Sequence, residues 1–144
     1  MQLRPIKQSL PMRLLQAREA IMSHFRSMLR AHGLTEQQWR VIRVLAAEGE
    51  LDTGELAQHS FLLGPSLTRI LRTLEANNLI LRKPDKIDQR RYRISLSQSG
   101  NARYHKVSPD SEALYQRLEQ AFGKDKLAKL YDLLEELSVS AEAL

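Results

Sequence analysis

The chain contains no cysteine. That absence excludes disulfides, Cys-ligated zinc, iron–sulfur clusters and thiol catalysis. With 144 residues it can bury a core without such staples. No apolar run approaches the roughly 18 residues of a membrane span. Residues 1–11 lack the apolar centre of a secretory signal, so a cytoplasmic location is expected. Internal repeats and low-complexity tracts are also lacking. The four histidines, His24, His32, His59 and His105, are scattered and not at metal-ligand spacing. There is no H-E-x-x-H, no Gly-rich phosphate loop and no G-x-S-x-G. No metal, no cofactor and no enzymatic activity are therefore expected.

What is present is charge, unevenly placed. The net charge is +5, with 42% hydrophobic and 27% charged residues, and the mean hydropathy is −0.41. These values describe a folded globular chain. Residues 1–63 carry eight basic and six acidic residues, 64–106 carry ten and three, and 107–144 carry four and eight. The central basic block suits a polyanion, although a solvated basic surface would look the same.

Six glycines and five prolines leave long stretches free for helix. Apolar residues recur at helical spacing over 10–29 (Leu14, Ile21, Met22, Phe25, Met28, Leu29), and Gly33 interrupts them. Thr35 with Gln38 predicts a capping box ahead of Trp39, Ile42, Leu45 and Ala46. Asp52 with Glu55 predicts a second, opening a short helix through Leu56, Ala57 and Phe61. Pro65 suits a first helical position. Leu67, Ile70, Leu71 and Leu74 carry that helix to Asn77-Asn78, where Asn suits a left-handed close. Residues 79–83 and 92–96 then read as a two-stranded ribbon around the polar tip 84–91. Ser97 can cap the next helix, whose apolar stripe is Leu114, Leu118 and Phe122, with a bend or break expected at Pro109. Leu127, Leu130, Leu134 and Leu137 mark a last amphipathic helix.

Two short helices followed by a basic ribbon form a winged helix-turn-helix order. The recognition helix would be about 65–76. Its polar side, with Pro65 at its start, offers Ser66, Thr68, Arg69, Arg72 and Thr73: arginine can pair with guanine, and a hydroxyl or methyl can meet phosphate or thymine. Any surface helix could look similar, so the wing matters more. Lys86, Arg90 and Arg91 lie on its projecting tip, where an arginine can enter the minor groove. Asp88 would shape the loop by ion-pairing with a wing arginine.

The run Asp88-Gln89-Arg90-Arg91-Tyr92-Arg93-Ile94-Ser95-Leu96-Ser97-Gln98-Ser99-Gly100 resembles the D-x-R-x-x-x-[IV]-x-L-[TS]-x-x-G wing signature of MarR-family regulators. Pro65-Ser66-Leu67-Thr68-Arg69 and Leu74-Glu75 resemble that family's recognition helix. Leu15-Gln16-Ala17-Arg18-Glu19-Ala20 and Leu34-Thr35-Glu36-Gln37-Gln38-Trp39-Arg40 are similar to its homoprotocatechuate-operon repressor subgroup. Ser97 stands where the family often has Thr, and Asn78 where Gly is usual. The resemblance implies a mainly α fold with a small β-wing. It implies a homodimer held by residues 1–34 and 101–144, and a DNA-binding lobe over 35–100 with its wing at about 80–96. The partner would be a pseudo-palindromic double-stranded operator, and the function repression of an aromatic-compound catabolic operon. By the residues alone, Leu14, Leu127, Leu130, Leu134 and Leu137 could equally complete a monomer's core. A ligand-insensitive repressor and a sequence-tolerant architectural DNA-binding protein are the alternative functions.

Arg18 and Arg43 stand on otherwise apolar helix faces, and a partly buried arginine needs an anionic partner. One reading is an internal salt bridge with Glu36, Asp110 or Glu112. The other is a carboxylate ligand held beside Trp39, Phe25 and Tyr115, since the guanidinium fork matches two oxygens. The resemblance implies the second, a phenolic or aromatic carboxylate effector, with Arg18, Met22, Phe25, Trp39, Arg43, Ser111 and Tyr115 as its candidate contacts.

Overall fold

A computed structural model describes residues 1–144. Helix α1 (Leu10–Ala31) follows a short 3-10 turn (Ile6–Gln8) and carries a proline in its first turn. Helix α2 (Glu36–Glu48) opens with a capping box: the Thr35 hydroxyl accepts from the Gln38 N–H at 3.1 Å, and the Gln38 side chain accepts from the Thr35 N–H at 3.0 Å. Helix α3 (Thr53–Ser60) repeats the device. Asp52 Oδ1 accepts from the Glu55 N–H at 2.7 Å, and Glu55 Oε1 from the Asp52 N–H at 3.3 Å. Both boxes join residues three apart, which is why they were legible locally. Helix α4 (Gly64–Ala76) has its proline in the first turn and ends before Asn78, whose φ of 59° is left-handed. Strands β2 (Ile80–Pro84) and β3 (Tyr92–Leu96) lead to α5 (Gln98–Phe122) and α6 (Lys124–Glu142).

The chain forms two compact units, Met1–Pro109 and Asp110–Leu144. In the first, Leu29, Val41, Ile42, Leu56, Leu67, Leu74, Ile94 and Val107 are fully buried, so α1 to α5 and β3 all contribute to one core. Trp39 belongs to this core and stacks on Tyr104, ring centroids 5.7 Å apart. In the second, α6 follows Gly123, whose φ is 112°, and buries Leu127. No helix is long and apolar enough to cross a membrane.

Three expectations change. The ribbon is a three-stranded antiparallel sheet in the order β1-β3-β2, because β1 (Leu51–Asp52) pairs with Ile94 and Arg93. Two residues are too few to show any alternation in a sequence, and pairing completes the sheet that a lone hairpin lacks. Phe61 is not on the apolar face of α3: it is the left-handed cap, φ 55°, with its ring exposed. Pro109 lies inside continuous helix. A proline removes one N–H bond, and its cost can be met within a helix of 25 residues.

The Asp52 carboxyl is held below the usual aspartate range, first by the Glu55 N–H and further by the Arg91 and Arg93 charges. A depressed folded value stabilises above the unfolded pKa of about 4 and is lost as pH falls through the folded value. Asn caps as well as Asp but does not titrate. Asp52→Asn should therefore cost less than about 1 kcal/mol at pH 7. Thermal melts from pH 7 to 2.5 should show that gap closing below pH 4; a gap constant with pH would assign the cap no charge dependence.

Candidate nucleic-acid interface

The α3–α4 pair is a helix-turn-helix, and its second helix divides cleanly. Leu67, Ile70, Leu71 and Leu74 are buried. Pro65, Thr68, Arg69, Arg72 and Thr73 are exposed, and Ser66 is half-buried. Arg69 and Arg72 make no ion pair, so both guanidinium groups are available to an outside anion. Thr68 and Thr73 donate their hydroxyl protons to the carbonyls of Gly64 (2.9 Å) and Arg69 (3.2 Å). With those protons committed inside the helix, each threonine offers its methyl group outward more readily than a donor for phosphate.

The wing is braced by charge. Arg82 of β2 pairs with Glu75 of α4 at 3.2 Å and lies 4.5 Å from the Tyr92 ring centroid, tying the ribbon to α4. Arg93 pairs with Glu50 at 3.2 Å and reaches Asp85 at 3.9 Å. Asp88 accepts from the Arg90 backbone N–H at 3.1 Å and from Arg90 Nε at 3.2 Å, and its other oxygen lies 3.9 Å from Arg91 Nε. The two wing arginines differ. Arg91 also reaches Asp52 at 3.8 Å and is 67% exposed. Arg90 is 93% exposed and engages Asp88 only through Nε. Its two terminal nitrogens make no hydrogen bond or ion pair within the protein. Lys86 is exposed beside them.

Asp85 was not among the expected site residues. Its carboxylate accepts from the Ile87 N–H at 2.8 Å and the Asp88 N–H at 3.4 Å. Those bonds, the Ile87 one first, hold its carboxyl below the usual range, helped by Arg93 and Arg91. The signal was present as Pro84-Asp85, since Asp commonly bonds the backbone two residues on. Glu50, Glu75, Arg82 and Arg93 were also missed, because each acts through a partner on another element.

The arginine pair on α1 and α2 separates. Arg18 is 43% exposed and ion-pairs with Glu36, which also receives Arg26 Nε at 3.1 Å and Arg40 at 3.2 Å. Arg26 further grips Glu19 at 2.7 Å, and Arg40 donates to the Ser60 carbonyl at 3.2 Å. Arg18 is thus held by the internal salt bridge that the sequence left open, within a network joining α1, α2 and the end of α3. Arg43 is exposed, not partly buried, and makes no ion pair. Being four residues from Trp39 put it on a neighbouring face, but only Trp39 turns into the core. Phe25 is buried and Met22 half-buried on α1. Ser111 and Tyr115 lie in the second unit, buried and half-buried, one turn apart on α5.

The MarR family profile matches residues 34–92. The homoprotocatechuate degradative operon repressor of Escherichia coli is 44% identical over 128 residues, 89% of this chain and 86% of that one. The HTH-type transcriptional regulator FarR of Neisseria gonorrhoeae is 41% identical over 91% of this chain and 90% of its own. The crystal structure of NadR in complex with 4-hydroxyphenylacetate is similar with a TM-score of 0.80 at 39% identity, covering 95% of this chain and 97% of that one. Similarity of this extent spans both the winged lobe and the helices outside it, and the chain belongs to the MarR family.

Proposed function

We propose that the chain is a DNA-binding transcriptional regulator, a repressor of an aromatic-compound catabolic operon, released by a small aromatic carboxylate. The observation that carries the reading is the unpaired cationic face of α4, Arg69 and Arg72, braced through Glu75 and Arg82 to a wing that projects Arg90. A helix N-terminus in the major groove with an arm in the minor groove is how such lobes read a half-site. Two copies read a pseudo-palindrome. The surfaces for a second copy are apolar side chains left uncovered by the single chain. Leu10, Met12, Leu14 and Leu15 on α1 are each at least 41% exposed, and Tyr131, Leu133 and Val139 on α6 at least 54%. Of the stripe residues, Leu14 and Leu130 are exposed as well, Leu134 and Leu137 are half-buried, and Leu127 is buried within the single chain. The protein acts in the cytoplasm, on the nucleoid when DNA-bound, and performs no catalysis.

The effector reading rests on Arg43, a cation without an internal partner, near Trp39 on α2, and on the 4-hydroxyphenylacetate bound by NadR. Met22 and Phe25 are proposed beside it; for Ser111 and Tyr115 the proposal rests on the family resemblance. Arg18, which ion-pairs with Glu36, is read here as a partner of that carboxylate rather than of the effector.

The test is fluorescence anisotropy of a duplex from the protein's own upstream region, titrated with 4-hydroxyphenylacetate. Binding should survive an excess of about 10³-fold unrelated DNA, and the acid should release it. Arg43→Ala should bind the duplex but resist release, and Arg18→Ala should still respond. Displacement by an equal mass of unrelated DNA would make the protein architectural. Specific binding that the acid leaves untouched would make it a ligand-insensitive repressor.

A further inference from the structure

The wing tip carries an apolar residue that none of the charge pairing explains. Ile87 is 98% exposed in the loop between β2 and β3. An isolated exposed isoleucine is ordinary on a protein surface, but this one is held in place. The Asp85 carboxylate accepts from the Ile87 N–H at 2.8 Å. The Asp85 N–H donates to the Arg91 carbonyl at 2.9 Å, and the Arg91 N–H to the Asp88 carbonyl at 2.9 Å. Asp88 in turn accepts from the Arg90 N–H. The backbone on both sides of Ile87 is thus closed by bonds within the loop. Both tip carboxylates are used inside it, so the exposed side chains of the tip are Ile87, Gln89 and the cations Lys86, Arg90 and Arg91. The side chain is β-branched and stiff at χ1, so little rotamer freedom is lost when it is covered.

We propose that Ile87 is a DNA contact, seated against the apolar deoxyribose walls of the minor groove between the phosphates that Lys86 and Arg90 approach. The inference rests on the reading of the wing as a DNA arm. Charge complementarity names the occupant: a cationic rim around a single apolar knob fits a polyanion whose groove walls are sugar carbons. Apolar side chains among cations are a recurrent means of engaging that groove. The contact adds affinity without neutralising a phosphate, and this separates it from its neighbours.

The experiment measures operator affinity of the full chain between 0.1 and 0.3 M salt for wild type, Ile87→Ser, Ile87→Leu and Arg90→Ala. Ile87→Ser should bind on the order of tenfold more weakly, because a dimer loses two such contacts. Its slope of log K against log salt should equal that of wild type, since no counterion release is lost. Ile87→Leu should recover most of the affinity, and Arg90→Ala should weaken binding and flatten the slope. All variants should melt with wild type, because neither side chain packs in the core. Ile87→Ser binding within twofold of wild type, while Arg90→Ala is weak, would overturn the contact and leave the tip to a protein partner. A flattened slope for Ile87→Ser would overturn it as well, by showing a rearranged loop. If neither variant binds more weakly, the wing is off the DNA, and the DNA-arm reading falls together with this contact.

Discussion

Arg90→Ala is expected to lower operator affinity by about 30- to 100-fold near physiological salt and to leave the melting temperature unchanged. The guanidinium is 93% exposed and anchored only by Nε to Asp88 at 3.2 Å, so no core contact is lost. Each lobe loses one charge-assisted contact of about 1 kcal/mol or somewhat more. A dimer loses two, and each 1.4 kcal/mol is tenfold. The slope of log K against log salt should fall by up to about 2, near 0.9 for each phosphate released. Arg91→Ala should do less on DNA, because Arg91 is already shared between Asp52 and Asp88. Anisotropy titrations at several salt concentrations, beside thermal melts, decide the matter. Equal losses at Arg90 and Arg91 would show that exposure does not distinguish them.

The second large effect is on folding. Gly100→Ala should destabilise by about 3 kcal/mol, lowering the melting temperature by about 10 °C. Helix propensity alone predicts the opposite sign, since Ala exceeds Gly by about 1 kcal/mol inside a helix. Gly100 lies in the first turn of α5, and a Cβ there would drive into the Leu79 carbonyl oxygen. It would also stand 3.1 Å from the Leu79 carbonyl carbon and 3.1 Å from Leu96 Cδ2. The neighbour is backbone, already accepting from the Ser97 N–H at 3.1 Å. The Ser97 hydroxyl binds the Asn78 carbonyl at 2.6 Å and accepts from the Gly100 N–H at 3.0 Å. These bonds weld the corner after α4 to the corner after β3. Gly33→Ala is the control: its φ is +72° with open space around it, so it should cost only about 1 kcal/mol. Melts at matched protein concentration test both, because dimerisation makes the midpoint concentration-dependent. A Gly100→Ala variant as stable as wild type would show that the corner opens freely.

The sequence by itself determined whatever depends on neighbours within one turn. The capping boxes at Thr35 and Asp52 join residues three apart, the buried side of α4 follows the helical period, and Asn78 takes the left-handed position at the end of that helix. The wing signature includes both Asp88 and Gly100. Tertiary structure decided everything that needed a partner from elsewhere. Strand β1 exists because β3 returns beside it. Arg18 belongs to Glu36 because α2 folds back along α1. Arg91 is restrained and Arg90 projects because Asp52 stands under one and not the other. Gly100 must lack a side chain because Leu79 presents its carbonyl there. The division follows range. Capping and helical periodicity act over three or four residues and are written in local order. Ion pairs, strand pairing and close backbone approach join residues that only the folded core brings together.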